Sequence, residues 1–187
     1  MKIYLASKSP RRRSLLSQIG IEYTCIEGDI DESPFRNEKP LDYVTRMARE
    51  KAISGWDNPS RGQAMPLLAA DTSVIFENEI LGKPDNQKQA FSMLNKLSGN
   101  THQVITAVAV KKEEIEKIVV SITHVTFDSL SDDIINEYIS SGDCFDKAGA
   151  YGIQNYAARF VKSISGSYTG VVGLPLCETA NLLESFE

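Results

Sequence analysis

The chain has 187 residues, 42% of them hydrophobic, which suffices for a sizeable core in one domain or two small lobes. A net charge of −5 argues against general affinity for nucleic acid or anionic membranes, so any anion site needs a local basic cluster. No segment approaches the roughly 20 apolar residues of a membrane span, no secretory signal is evident, and three cysteines without metal-ligand spacing favour a reduced, cytoplasmic protein.

The first predicted elements are a strand over residues 2–6 and a helix over residues 10–19. Ser9 can cap this helix, and Pro10 suits its first position. Three arginines, Arg11–Arg13, then occupy the first turn, although the N-terminus of a helix attracts anions. Because free N–H groups and arginine side chains both suit phosphate oxygens, we predict a polyphosphate site here; solvated surface charge is the alternative.

Residues 21–26 alternate like a strand, and an acidic loop follows them. A plain solvated loop is one interpretation. Near a phosphate site the carboxylates could instead hold a divalent cation, because Mg²⁺ takes one or two carboxylates together with substrate phosphates. The acidic residues of this loop are Glu27, Asp29, Asp31 and Glu32.

The next predicted helix covers residues 41–54, and Lys51 falls on its apolar face with Val44, Met47 and Ala48. A lysine at the edge of an apolar stripe commonly extends along it to reach solvent. Alternatively, Lys51 turns into a cleft to meet a charged ligand. The sequence leaves both interpretations open.

After a predicted loop over residues 55–66, residues 67–76 form a nearly continuous apolar run, as in a strand covered on both faces. Asp71 interrupts this run, and a buried aspartate is unfavourable unless it is paired, hydrogen-bonded or bound to metal. A strand ending at Ala70 is the alternative, but apolar sequence resumes at Val74. Asp71 is therefore a candidate metal ligand or general base.

The remaining chain alternates between predicted helices and strands, with a long pair of strands in the middle. We therefore expect an α/β protein with a mixed sheet. The predicted features are a turn at Asn78-Glu79, Lys83 between Gly82 and Pro84, a helix over 86–97 capped by Asp85, strands over 101–110 and 115–127, a helix over 132–141 capped by Ser131, a Gly-rich stretch over 143–157, a strand over 159–164, a turn at Gly166-Ser167-Tyr168, and a last helix beginning at Pro175.

Several common catalytic motifs are missing from the sequence. Neither a P-loop nor a dinucleotide-binding glycine motif occurs. His102 and His124 fall in predicted strands with no serine elbow nearby, and nothing favours a zinc site. The remaining cations, serines and carboxylates suit phosphoryl chemistry, in which positioning and charge stabilisation dominate.

Seven blocks of the sequence resemble the Maf family, in the family's order and over nearly the whole chain. The blocks are Ser7-x-Ser9-Pro10-Arg11-Arg12, Ala48–Ala52, Ala70-Asp71-Thr72, Gly82-Lys83-Pro84, Lys96–Thr106, Asp146–Gln154 and Gly166–Pro175.

This resemblance implies a single Maf-like domain over residues 1–187, with two lobes around a cleft as in the similar inosine triphosphate pyrophosphatases, and a homodimer. It implies a nucleoside triphosphate pyrophosphatase that uses Mg²⁺ or Mn²⁺. The branch that cleaves dTTP and UTP carries an arginine, a threonine and a glutamine at its selectivity positions, which match Arg11, Thr72 and Gln154. One departure is Asn155, where a glycine often follows the glutamine.

Roles for individual residues follow from the resemblance together with their chemistry. Asp71 is the expected general base and shares the metal with Glu32. The Ser7 and Ser9 hydroxyls hold phosphate oxygens, and Gln154 offers a donor and an acceptor to the thymine or uracil edge. The cations expected to neutralise the triphosphate are Arg12, Lys51 and Lys83, with Arg13 left as surface charge.

Two other functions remain open. One is a nucleotide-binding regulator of cell division, because the family's name is tied to inhibition of septum formation. The other is the same chemistry on inosine or modified purine nucleotides.

Overall fold

A computed structural model of the protein describes residues 1–62 and 65–187. Gln63 and Ala64, in the predicted loop over residues 55–66, lie outside the described residues. The strands are β1 Lys2–Ala6, β2 Glu22–Ile26, β3 Leu67–Phe76, β4 Glu79–Leu81, β5 Thr101–Lys112, β6 Ile115–Phe127 and β7 Val161–Ser165. The helices are α1 Pro10–Gln18, α2 Pro40–Trp56, α3 Gln87–Leu97, α4 Asp132–Ser140, α5 Tyr168–Val172 and α6 Leu176–Glu184, with short 3₁₀ helices at Ala148–Ala150 and Tyr156–Phe160.

The strands form one mixed sheet, which confirms the predicted α/β class. Their order is β2-β1-β3-β5-β6-β7, and β4 pairs with β3. Strand β1 pairs in parallel with both β2 and β3, whereas the β3–β4 and β6–β7 pairs are antiparallel. Ala6, the last residue of β1, is in register with Ala69, two residues before Asp71. The end of β1 therefore lies beside the first residues of β3, just before Asp71.

The chain divides into two compact units. Unit 1 comprises Met1–Asp71, Thr106–Ser121 and Gly173–Glu187. Unit 2 comprises Thr72–Ile105 and Ile122–Val172.

The core of unit 1 lies between the β1–β3 part of the sheet and the apolar face of α2. Side chains from these elements are completely buried, as the sequence pattern predicted for α2 and β3. They include Ile3, Leu5, Val44, Met47, Ala48, Leu67 and Leu68.

The core of unit 2 contains a cluster of packed aromatic rings. Phe127 packs edge-on against His102, Tyr151 and Phe160, with ring centroids 4.8–6.0 Å apart. Tyr138 packs edge-on against Phe160, at 5.3 Å. Such edge-to-face contacts are a favoured arrangement of aromatic rings, and they join β5, β6, α4 and the loop before β7.

Most predicted elements are present, but several boundaries differ for local reasons. Helix α3 is capped by Asn86, whose side chain accepts from the Gln89 N–H at 3.0 Å, and not by Asp85. The Asp85 N–H instead donates to the Gln89 side chain at 2.8 Å, so Gln89 serves both residues. The turn between β3 and β4 is formed by Glu77 and Asn78, whose positive φ angles of 48° and 68° suit a tight hairpin.

Two further boundaries differ from the predictions at helices. Helix α2 continues through Gly55 to Trp56, although those residues were predicted as loop. The predicted turn at Gly166-Ser167-Tyr168 leads directly into α5, because the Ser167 hydroxyl accepts from the Gly170 N–H at 3.0 Å. None of the helices in the described part of the chain has the length and hydrophobicity that a membrane crossing requires.

Candidate active site

Asp71 lies inside strand β3 and is almost completely buried, with 8% of its surface exposed. The strand continues through it to Phe76, so the alternative that the strand ends at Ala70 is wrong. A carboxylate in this position needs compensating partners, since an isolated buried charge is strongly unfavourable.

Lys51 supplies one such partner and also contacts the acidic loop. Its ammonium lies 2.8 Å from Oδ1 of Asp71 and 2.7 Å from Oε1 of Glu32. The Lys51 side chain is only 14% exposed, so it does not extend to solvent along the edge of α2. Of the two interpretations of Lys51, the structure therefore favours a lysine turned inward toward charged groups.

The segment between β1 and α1 gathers the predicted phosphate ligands. The Ser9 hydroxyl accepts from the Arg12 N–H at 3.4 Å, which confirms it as the cap of α1. The Ser7 hydroxyl accepts from the Ser9 N–H at 3.1 Å and from the Arg12 guanidinium at 3.4 Å. Ser7, Ser9 and Arg12 thus lie together at the helix N-terminus, where the peptide dipoles favour an anion.

Electrostatics link Arg12 to the carboxylates. Its Nε donates to the carbonyl of Gly173 at 2.9 Å. Although part of the side chain is exposed, desolvation lowers the pKa of the Arg12 guanidinium, while the charges of Asp71 and Glu32 act in the opposite direction. A permanent cation is therefore held within electrostatic reach of the same two carboxylates that Lys51 bridges.

Arg13 differs from its prediction as simple surface charge. Its Nη2 donates to the carbonyl of Ser7 at 3.4 Å, and its Nε is buried without a partner among the described residues. The residue is half-buried and contacts the backbone at Ser7, in the segment between β1 and α1. Its neighbour Arg11 is half-buried as well.

The carboxylates of Glu32 and Asp71 beside Lys51 fit a divalent cation whose remaining ligands come from a bound phosphate and water. Among the described residues, no three histidine, cysteine or acidic side chains form a metal-binding group. Glu32 and Asp71 nevertheless bracket a positive charge, the Lys51 ammonium, at hydrogen-bonding distance on both sides. Two carboxylates completed by phosphate oxygens and water are a common Mg²⁺ environment.

The other predicted site residues belong to unit 2. Thr72 follows Asp71 on β3 and is half-buried, whereas Lys83 and Gln154 are exposed. Within this unit the Gly149 N–H donates to the carbonyl of Gly82 at 3.0 Å, so the segment carrying Lys83 is hydrogen-bonded to the Gly-rich loop. The assignment of these three residues to one site with Asp71 stays a prediction.

Lys147 is a site candidate to which the sequence reasoning gave no role. Its ammonium contacts the Asp143 carbonyl at 2.5 Å, the Asp143 carboxylate at 2.9 Å and the Asp146 carboxylate at 2.6 Å. Its side chain crosses Gly152, where an added Cβ would lie 2.6 Å from the lysine Cε. The signal available in the sequence was a lysine near Asp143 and Asp146 in a Gly-rich stretch, and it marks the segment that leads to Gln154.

Asn155 fits its position despite the departure from the family pattern. Its φ of −111° lies outside the positive range that favours glycine. Its amide also donates to Oδ1 of Asp143 at 3.5 Å, which ties the segment after Gln154 to the Lys147 cluster.

Comparison with known proteins identifies the family. The model of the Maf-like proteins matches residues 2–186. This chain belongs to the Maf-like family. A dTTP/UTP pyrophosphatase of Pseudoalteromonas translucida is 53% identical to it, over 98% of this chain and 96% of that protein. A dTTP/UTP pyrophosphatase of Chromobacterium violaceum is 52% identical, over 99% of this chain and 94% of that protein. The predicted resemblance to the Maf family is thus confirmed over nearly the full length.

Proposed function

We propose that this Maf-like chain hydrolyses dTTP and UTP to the nucleoside monophosphate and pyrophosphate with the aid of a divalent cation. The observation that carries the proposal is the buried Asp71 carboxylate, linked through the Lys51 ammonium to Glu32 at 2.8 and 2.7 Å. The full-length similarity to relatives named dTTP/UTP pyrophosphatase supports the substrate class.

In the proposed reaction a water molecule attacks the α-phosphorus. Asp71 accepts the proton of this water, the new bond to phosphorus forms, and the bond from the α-phosphorus to the bridging oxygen breaks, so pyrophosphate leaves. The side chains of Ser7, Ser9 and Arg12 hold phosphate oxygens at the N-terminus of α1. Lys83 adds positive charge, and Arg11, Thr72 and Gln154 select the pyrimidine base.

Charge balance supports a cation requirement. Arg12 and Lys51 are formally cancelled by Glu32 and Asp71, so this group alone does not compensate a triphosphate. A cation held by Glu32 and Asp71 would supply that charge and polarise the phosphate, as Mg²⁺ or Mn²⁺ does in phosphoryl transfer.

The decisive experiment measures pyrophosphate release from a panel of nucleotides with Mg²⁺ or Mn²⁺. We expect release from dTTP and UTP, and a fall of about 10²- to 10⁴-fold in kcat for Asp71→Asn, since that variant lacks the base. Asp57→Asn removes one exposed carboxylate at the end of α2 and is the matched control, expected to keep the wild-type rate.

Other outcomes favour the competing functions. Full activity of Asp71→Asn would remove the proposed base. Tight binding of nucleotides without release would favour the regulator of cell division, and release confined to inosine or modified purine nucleotides would change the substrate class. Family membership also supports a cytoplasmic homodimer as a proposal, which light scattering and cell fractionation test.

A further inference from the structure

The acidic loop between β2 and α2 lies along helix α2 and is attached to it at several points. The Asn58 side chain donates to the carbonyl of Glu27, and the Ser54 hydroxyl donates to that of Asp29, each at 3.1 Å. Between them Gly28 approaches so closely that an added Cβ would lie 2.7 Å from the Lys51 carbonyl oxygen. These contacts hold the first part of the loop against the C-terminal half of α2.

The second part of the loop, residues 32–38, depends on two side chains from the N-terminal half of α2. The Tyr43 hydroxyl donates to the carbonyl of Glu32 at 2.9 Å. The Arg46 Nη2 donates to the carbonyl of Ser33, the next residue, at 3.0 Å.

Arg46 makes the larger set of contacts. Its Nε and Nη2 each donate to a different carboxylate oxygen of Glu38 at 2.7 Å, which makes a two-pronged pair. Its Nη1 reaches Glu50 at 3.3 Å, and its guanidinium carbon lies 3.8 Å from the ring centroid of Phe35. The Arg46 and Glu38 side chains are only 16% and 8% exposed, so solvent screens this pair less than an ordinary surface ion pair.

These contacts matter for Glu32, because packing against neighbouring residues does not bury its side chain. That side chain is 56% exposed, yet its carboxylate reaches the Lys51 ammonium beside Asp71. Its location therefore follows from where the loop backbone is held. We propose that Arg46, assisted by Tyr43, is a positioning residue that fixes Glu32 for the divalent cation; this inference rests on the proposed function.

The test compares Arg46→Met and Arg46→Lys with Arg49→Met. Arg49 lies on the same helix and contacts Glu116 at 2.7 Å, with a side chain that is 52% exposed, so it controls for the loss of one arginine. Two quantities are measured: the Mn²⁺ concentration for half-maximal pyrophosphate release, and Mn²⁺ binding by electron paramagnetic resonance with a non-hydrolysable α,β-imido analogue of dTTP. Amide hydrogen exchange over residues 32–38 reports on the loop itself.

We expect both Arg46 variants to need about 10- to 100-fold more Mn²⁺, as when a side chain that orients a metal ligand is removed, with a much smaller change in kcat at saturating Mn²⁺. Lysine should not restore binding, because it cannot reproduce the two-pronged contact with Glu38. Amide exchange should accelerate in these variants. Arg49→Met should match the wild type in all three measurements.

Several results would overturn the proposal. A purely structural role would lower stability or speed exchange without changing the Mn²⁺ requirement, and rescue by lysine would reduce the role to charge. Should Arg46→Met fail to fold, Tyr43→Phe decides the question. For this variant we expect the Mn²⁺ requirement to rise by about 2- to 10-fold, because one hydrogen bond is lost. If dTTP and UTP are not hydrolysed, the proposed function fails, while Mn²⁺ binding and amide exchange still test the role of Arg46. If the wild type does not bind Mn²⁺, the proposed function and the role of Arg46 are both overturned.

Discussion

At the scale of single residues, Lys147 is the least expected feature of unit 2. A lysine that is 8% exposed normally carries a large desolvation penalty. Here two aspartates and a backbone carbonyl engage the three donors of its ammonium, while its stem covers Gly152. The lysine thus joins the start of the Gly-rich loop to the segment that presents Gln154.

We predict that Lys147→Met lowers the free energy of unfolding by about 1.5–3 kcal/mol, the range for hydrogen bonds to a charged group. The KM for dTTP and UTP should rise more than kcat falls. The reason is that the substitution removes the support of the segment carrying Gln154 and leaves the reacting groups in place. Lys96→Met is the matched control, since the Lys96–Glu79 pair is exposed on both sides and is expected to contribute under about 1 kcal/mol. Urea denaturation and steady-state kinetics measure both effects, and equal behaviour of the two variants would contradict the prediction.

At the scale of secondary-structure elements, the N-terminus of α1 combines a helix cap with the predicted phosphate ligands. Ser9 caps the helix in the same way that Ser131 caps α4, with hydroxyl-to-N–H distances of 3.4 Å in both. Of these two caps, only Ser9 lies next to the predicted phosphate ligands Ser7 and Arg12. A hydroxyl that accepts from the helix can still donate its own proton to a phosphate oxygen.

This pair of caps separates helix stability from ligand binding. We expect Ser9→Ala and Ser131→Ala each to lower the free energy of unfolding by about 1 kcal/mol, because each removes one capping bond. Only Ser9→Ala should raise the KM for dTTP, by roughly tenfold, the equivalent of one hydrogen bond to a charged phosphate. Thermal unfolding and kinetics report the two effects, and an unchanged KM for Ser9→Ala would remove Ser9 from the phosphate site.

At the scale of the whole molecule, the buried His102 links stability to pH. It is 2% exposed, its Nε2 is hydrogen-bonded to the Tyr151 hydroxyl at 2.7 Å, and its Nδ1 has no partner among the described residues. Desolvation therefore lowers the pKa of His102 to about 4. The folded protein resists protonation at this position, whereas the unfolded chain takes up the proton near pH 6.5.

Stability should therefore fall as the pH decreases from about 6.5 to 4, by up to about 1.4 kcal/mol per pH unit from this group, because the unfolded state binds more protons in that window. His102→Gln should flatten the dependence while keeping a partner for Tyr151. His124→Gln, at the exposed second histidine, should leave it unchanged. Urea denaturation at pH 7, 6 and 5 measures this, and equal losses in the wild type and His102→Gln would contradict the assignment.

Some of the predicted site residues lie near one another in the structure, and these are residues that are close in the chain or whose burial follows from a strand pattern. Ser7, Ser9 and Arg12 come together because one helix begins there, and Asp71 is buried because its strand is apolar on both sides. Arg46 and Lys147 were not recognised, because their roles depend on partners 8–13 residues away in a loop and on a close approach to Gly152. Neither periodicity nor motif spacing encodes such contacts.

The sequence by itself determined the family, because seven motif blocks carry the resemblance in order. It also determined the α/β class with its mixed sheet, the caps at Ser9 and Ser131 and the burial of Asp71, because local propensities and apolar periodicity specify these features. Only the tertiary structure decided between a solvent-directed and an inward Lys51, and only it linked Glu32 to Asp71 through that lysine. The physical reason is that rotamer choice and ion pairing depend on the desolvation and geometry of groups distant in the chain, which no window of sequence contains.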